Sequence, residues 1–341
     1  MLRTNGIEFK HICFANKLKL TKNFVYIYSF KFEIMRNIHF YSLIILVLLR
    51  CSSMQLENDK KIMTDLTGTY LGQINPGLQP KIFAPKIVSK SNEYEFGSVF
   101  SDDANEFYYA MNNKNGKAEI RYMVQIDNKW TEPKKINFNN NYSFNDPFLS
   151  IDENRMYFIS DMPLDGKGQK KDYDIWYSIR NGESWSEPIN AGNAINSEKN
   201  EYYISFTQNG TMYFASNIES EKGKERNYDI YYSEFKDNEF QKPVRMSESI
   251  NSFGYEADVF IAPDESYIIF CSMREDGYWS KDLYISFKEN DKWTQAKNMG
   301  NKINSSGPEL CPFVTRDGKY LFFTSNKDIY WVDAQIIENY R

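Results

Sequence analysis

The chain has 341 residues, 16% of them aromatic, with 25 Tyr and 25 Phe against only 17 Gly and 11 Pro. That composition excludes a disordered or collagen-like chain and points to a β-rich globular protein. The charge is uneven. Residues 1–50 carry eight Lys/Arg against two Asp/Glu, which leaves 33 basic and 44 acidic residues in 51–341, a net of −11, so a nucleic-acid surface is not expected on the folded part.

Residues 1–34 show no usable pattern, and an internal start at Met35 accounts for them better than a folded domain. Residues 35–50 read as a secretory signal: Met35-Arg-Asn is the positive start and Ile38 to Leu49 a short apolar core. Twelve apolar residues are too few for a bilayer span, which needs about 20. Cys51 closes the segment as a lipid acceptor would, although Arg50 stands where such signals carry a small residue. Both histidines, His11 and His39, precede Cys51. A mature chain starting there has no Ser-His-Asp or Cys-His nucleophile and no His-ligated zinc.

Residues 51–79 read as a lipid-anchored tether that ends in an ordered segment, Tyr70-Leu-Gly-Gln through Pro76-Gly77, packed on the domain that follows. From 80 to 333 the chain repeats, and 334–341 is a short tail. Five anchors, Ser101, Ser150, Thr207, Ala262 and Thr315, step by 49, 57, 55 and 53 residues. Each precedes a turn and an aromatic or aliphatic strand such as Phe107-Tyr-Tyr109 or Tyr267-Ile-Ile-Phe270. An acidic residue then opens a third strand: Glu119, Asp174, Asp229, Asp282 and Asp328. Trp130-Thr-Glu-Pro133, Trp185-Ser-Glu-Pro188, Phe240-Gln-Lys-Pro243 and Trp293-Thr-Gln-Ala296 are read as outer strands, where an edge tolerates proline. The last repeat lacks one, and Phe83-Ala-Pro85-Lys-Ile87 supplies it from the N-terminal side.

Four strands per repeat of this period define a propeller blade. The fold expected is all-β: a five-bladed β-propeller closed by an N-terminal strand, with six blades as the alternative.

The core Thr315-Arg-Asp-Gly-Lys-Tyr-Leu-Phe-Phe323 followed by Asp328-Ile-Tyr resembles the WD-like propeller repeat of the TolB-like group. The Tyr70-Leu-Gly-Gln and Phe83-Ala-Pro-Lys-Ile-Val88 segments resemble envelope lipoproteins of that group in Bacteroidetes-type bacteria. The resemblance covers 80–333 and implies a fold more than a function. Several repeats depart from the pattern: Ala104 and Glu265 replace the turn glycine, and Asn209 the turn aspartate. An outer-membrane location is what the resemblance and the signal imply together.

The turn Asp is expected to bind its own backbone, and the acid opening strand three recurs in every blade, so a structural role is favoured for both. Cys271 and Cys311 are expected as buried small hydrophobes, with a disulfide as the minor alternative. No Gly-x-Ser-x-Gly elbow, phosphate loop, metal-ligand spacing or calcium loop occurs, and no cofactor is expected. The function expected is a non-catalytic, monomeric binding propeller for an envelope protein, peptide or glycan; the alternative is a carbohydrate-active enzyme using paired carboxylates. The loops entering strands one and three are long (161–171, 217–227 and 273–281) and mark the working face. On that face Glu95, Glu201, Glu256 and Glu309 each stand six residues before an anchor, with Phe144 breaking the ring in blade two. They are expected to line the channel mouth and bind a cation or cationic group, with Tyr278 and Trp279 as aromatic contacts; equally open is that each Glu bonds a neighbouring blade's amides.

Overall fold

The computed structural model describes residues 66–220, 227–278 and 280–341. The segment 35–50, Cys51 and Trp279 lie outside the described residues. Among the described residues, no helix is long and apolar enough to cross a membrane.

The chain forms five antiparallel blades. Their inner strands are Glu95–Phe100, Phe144–Leu149, Glu201–Phe206, Glu256–Ile261 and Glu309–Val314. Each inner strand packs against the next, and the first packs against the fifth, so the ring is closed. The closing strand is Lys81–Ile82, paired with Asp328–Asp333 in the register Lys81↔Trp331. It sits slightly earlier than the sequence implied. Phe83 adds one more bond, from its N–H to the Ile329 carbonyl at 2.8 Å, and the chain then turns inward through Ala84 and Lys86, both at positive φ. Closure leaves no blade edge unpaired at the seam.

The outer strands also differ from expectation. Trp130, Trp185 and Trp293 pair with the far ends of the long third strands, at Gln125, Arg180 and Lys288. The true fourth strands begin only afterwards, at Lys134–Lys135, Ile189–Asn190, Val244–Arg245 and Lys297–Asn298. Pro133, Pro188 and Pro243 fall in the break between the two pieces. A proline has no N–H to give the ladder, so it marks an interruption here and not a strand interior.

The recurrent acids are structural, as their symmetry implied. Thr315 and Ser150 donate their hydroxyls to Asp317 and Asp152 at 2.7 Å, and each aspartate accepts a backbone N–H two residues on. The strand-three acids pair with the outer strand sixteen residues later: Arg245 to Asp229 at 2.9 and 2.8 Å, Asn190 to Asp174 at 2.9 Å and Asn298 to Asp282 at 2.8 Å. Lys135 stands in the same relation to Glu119, at 3.1 Å. Cys271 and Cys311 are buried free thiols.

The two flanking segments dock on the ring. Tyr70 packs edge-on against Phe100 and Tyr320, Leu71 is fully buried, and the Trp130 indole donates to the Gly68 carbonyl at 2.7 Å. The tail forms a 3-10 helix, Ala334–Tyr340, which buries Ile336 and Ile337 and donates the Tyr340 hydroxyl to the Met299 carbonyl.

Candidate functional site: a blind funnel on the axis

Every inner strand carries a bulge at the same place. The register shifts just after the second residue in all five, and the third residue adopts φ near +50°: Gly97, Asp146, Tyr203, Asp258 and Cys311. A bulge adds a residue to one strand and re-aims the side chains around it. Here it turns five third residues toward the axis, where they meet. Cys311 Sγ lies 3.7 Å from Asp146 Oδ1 and 3.9 Å from Asp258 Oδ2, and the Cys311 N–H donates to Asp258 Oδ2 at 3.3 Å. Tyr203 donates its hydroxyl to the Pro312 carbonyl at 2.9 Å. Gly97 is required by close approach: a Cβ there would meet Asp146 Oδ1 at 2.6 Å.

Below this layer the channel is filled. Phe148 packs on Phe206 and Phe313, and Phe313 on Phe260, with ring centroids 5.9–6.1 Å apart. At the far end Arg316 of blade five reaches blade two and donates to the carbonyls of Ser150 at 2.6 Å and Ile151 at 2.7 Å. The axis is therefore open from one side only.

That side is the long-loop face. A funnel of about 840 Å³ opens there, floored by Asp146, Asp258 and Cys311. Tyr94, Phe96, Tyr202, Tyr228 and Tyr255 form its walls, and Lys281 and Met273 come from the long loop of blade four. Lys281 Nζ donates to the Tyr255 hydroxyl at 2.9 Å and sits 4.0 Å from the ring centroid, a cation–π contact.

The electrostatics of the floor are uneven. Asp146 and Asp258 are 6% and 8% exposed. Burial, with the Asp258 charge adding to it, pushes the Asp146 carboxyl up to about 8. Burial raises Asp258 as well, but Lys281 and the Cys311 bonds offset part of that. Burial lifts the Tyr255 phenol far above its ordinary value and the Tyr228 phenol to about 12, so the walls are neutral hydroxyls at physiological pH.

The four glutamates expected at the channel mouth are placed differently. Glu95, Glu201, Glu256 and Glu309 are 0–1% exposed and do not line the funnel. Glu201 accepts from the Ser197 hydroxyl and N–H at 2.7 and 3.1 Å and from the Ser216 hydroxyl at 2.9 Å. Glu256 binds Ser252 and Ser272 in the same way, and Glu309 binds Ser305 and Ser325. The preceding asparagine bonds the previous blade: Asn251 accepts from the Ile230 N–H at 2.7 Å and donates to the Ile230 and Met246 carbonyls. Ile-Asn-Ser-x-x-x-Glu, starting at 195, 250 and 303, is thus an interblade clamp whose carboxylate is spent on its own blade. The expected ring of exposed carboxylates is corrected accordingly: strand alternation turns each first residue away from the axis, and the bulge gives the axis to the third. Tyr278 is 40% exposed, and it is not among the residues lining the funnel.

Sequence reading missed the floor residues because no one residue type recurs at the bulge position in all five blades: it is Gly97, Asp146, Tyr203, Asp258 and Cys311. Their shared signal is position, two residues after the clamp glutamate or after Phe144. Among the described residues no three of His, Cys, Asp and Glu converge as a metal site.

No protein-family model matches the chain, and no curated protein does. Solved structures of similar fold include the putative TolB of Agrobacterium tumefaciens, at 12% identity and TM-score 0.45 over 69% of this chain and 71% of that one. TolB from Acinetobacter baumannii aligns at 12% identity and TM-score 0.43, over 72% of this chain and 55% of that one. The periplasmic gluconolactonase of Pseudomonas aeruginosa aligns at 8% identity and TM-score 0.38, over 67% and 64%. The chain's own strand order makes it a five-bladed β-propeller.

Proposed function

We propose that the protein is a binding propeller of the bacterial envelope, and that it takes a projecting part of a protein or peptide into the blind funnel. The observation that carries this reading is the funnel itself: aromatic walls, an acidic floor, and a lysine from the long loop of blade four. A pocket of this kind recognises a ligand through apolar contact and a few fixed polar atoms. The floor also breaks the symmetry of the ring, because the bulge position is Asp in blades two and four but Gly, Tyr and Cys in the others, whereas an acid opens the third strand of every blade. Location follows from the signal-like segment 35–50 and from Cys51 as a lipid acceptor. Tyr202 and Tyr255 are the residues to alter: a Tyr202→Ala/Tyr255→Ala double variant should fold and lose a partner that the wild type captures from envelope extracts by crosslinking. Equal capture by both proteins would refute the reading.

One observation favours hydrolysis as a second reading. Asp146 and Asp258 bracket one sulfur in a single pocket, and Asp146 is the more strongly raised, which suits an acid paired with a carboxylate. Release of nitrophenol from aryl glycosides, abolished by Asp146→Asn and by Asp258→Asn, would establish it. No turnover with a panel of such glycosides removes it.

A further inference from the structure

We propose that the floor of the funnel is a receptor for a primary ammonium group, the side chain of a lysine or the amino terminus of a peptide, held by Asp146, Asp258 and the Asn145 carboxamide. The inference deepens the binding reading above and rests on it.

The charge on the floor is undercompensated. Lys281 stands against Tyr255 and offsets Asp258, but among the described residues no cationic side chain is bonded to Asp146. Among the described residues, the one side-chain partner of Asp146 is a thiol at 3.7 Å, a weak donor for a carboxylate that is more than nine-tenths buried. A buried acid in that state either carries a proton or receives a cation.

A second observation points the same way. Asn145, next to Asp146 and also lining the funnel, is 9% exposed, and its Oδ1 has no hydrogen-bond partner. An orphaned buried acceptor is uncommon, because leaving one unpaired costs about 1–3 kcal/mol. Two carboxylates and one amide oxygen are three acceptors. A primary ammonium has three N–H donors and no acceptor.

The walls suit the rest of such a ligand. Tyr94, Tyr202, Tyr228 and Tyr255 line the funnel above the acidic floor, and an aromatic ring whose face is reached attracts a cation. The resident example is Lys281, whose ammonium already rests on one of these rings. An aliphatic stem four carbons long, or an extended peptide end, fills the apolar part while its charge goes to the bottom.

The test uses four peptides on the purified chain, by calorimetry: Ac-Ala-Ala-Lys-Ala-Ala-NH2, free-amine Ala-Ala-Ala-Ala-NH2, the first peptide with its lysine acetylated, and the first peptide with arginine in place of lysine. Binding of either amine peptide, with at least about tenfold weaker binding of the acetylated one, is expected. Which amine peptide binds better distinguishes a lysine side chain from an amino terminus. Asp146→Asn should reduce amine binding about tenfold or more while leaving thermal unfolding cooperative. Lys281→Met removes the competing ammonium and should tighten it. Equal binding of acetylated and free peptides would overturn the ammonium inference and leave the binding funnel standing, as would equal binding of an arginine peptide, since charge alone would then suffice. If none of the peptides binds, the ammonium inference falls; capture by the Tyr202/Tyr255 pair decides separately whether the funnel binds anything.

Discussion

The Tyr203 hydroxyl of blade three donates to the Pro312 carbonyl of blade five at 2.9 Å, across the ring axis. The bond joins two blades that are not neighbours. The bulge holds Tyr203 at φ +46°, and the residue is only 3% exposed. Tyr203→Phe keeps the ring and strands one carbonyl; a loss of about 1 kcal/mol in a denaturant titration is expected. A change well under that would mean water replaces the hydroxyl.

The closing segment should be sensitive at one residue and tolerant at the next. Phe83 is fully buried and packs on Phe107 and Phe100 of blade one and on Phe322 and Trp331 of blade five. Phe83→Ala should cost about 3–5 kcal/mol. Ile82, 37% exposed, should cost under about 1 kcal/mol when changed to Ala. Comparable melting temperatures for the two variants would show that the seam is held elsewhere.

The interblade clamp predicts a polar hot point. Asn251 is 1% exposed and satisfies three backbone groups of blade three. Asn251→Ala leaves those groups unpaired and should destabilise by about 3 kcal/mol, with Asn251→Asp intermediate in a chemical denaturation series. An unperturbed Asn251→Ala protein would mean the clamp is dispensable.

Stability should be greatest in mild acid. Burial raises Glu95 and Glu201 to about 7 and Asp146 to about 8 in the folded state, against unfolded values near 4. A group raised on folding binds its proton more tightly in the native state. Its contribution is complete below the unfolded value and is lost as pH climbs through the folded one, so stability falls between about pH 5 and 8. The opposite limb comes from Asp152, lowered by the Ser150 hydroxyl against burial and further by Asn154; its contribution is lost as pH falls below about 4. Melting temperatures measured from pH 3 to 9 should peak near 5, and Glu201→Gln should flatten the alkaline decline. A maximum at pH 8 would contradict this.

Cys51 lies outside the described residues, so its role is a matter for labelling. A fatty-acid probe supplied to expressing cells should mark the protein, and Cys51→Ala should abolish the label. An unlabelled, freely soluble wild type would identify Arg50 as the residue that blocks processing.

The sequence alone determined the repeat, the blade number and the closure, because these rest on local patterns. A turn aspartate bonding its own backbone, an aromatic strand behind it and an acid opening the next strand all lie within some thirty residues, and a fixed period makes them visible. It also supported the structural role of those acids, through their recurrence. The same logic misled where recurrence was taken for a site: Glu201, Glu256 and Glu309 recur because they serve the blades, each bonded to two serines. The tertiary structure alone decided the funnel. The bulge layer beneath it takes Gly97, Asp146, Tyr203, Asp258 and Cys311, one from each blade and only two of them alike, so no recurring local pattern announces them. Which side chain of an inner strand faces the axis was decided by the bulge, since one added residue reverses the alternation that the sequence would otherwise imply.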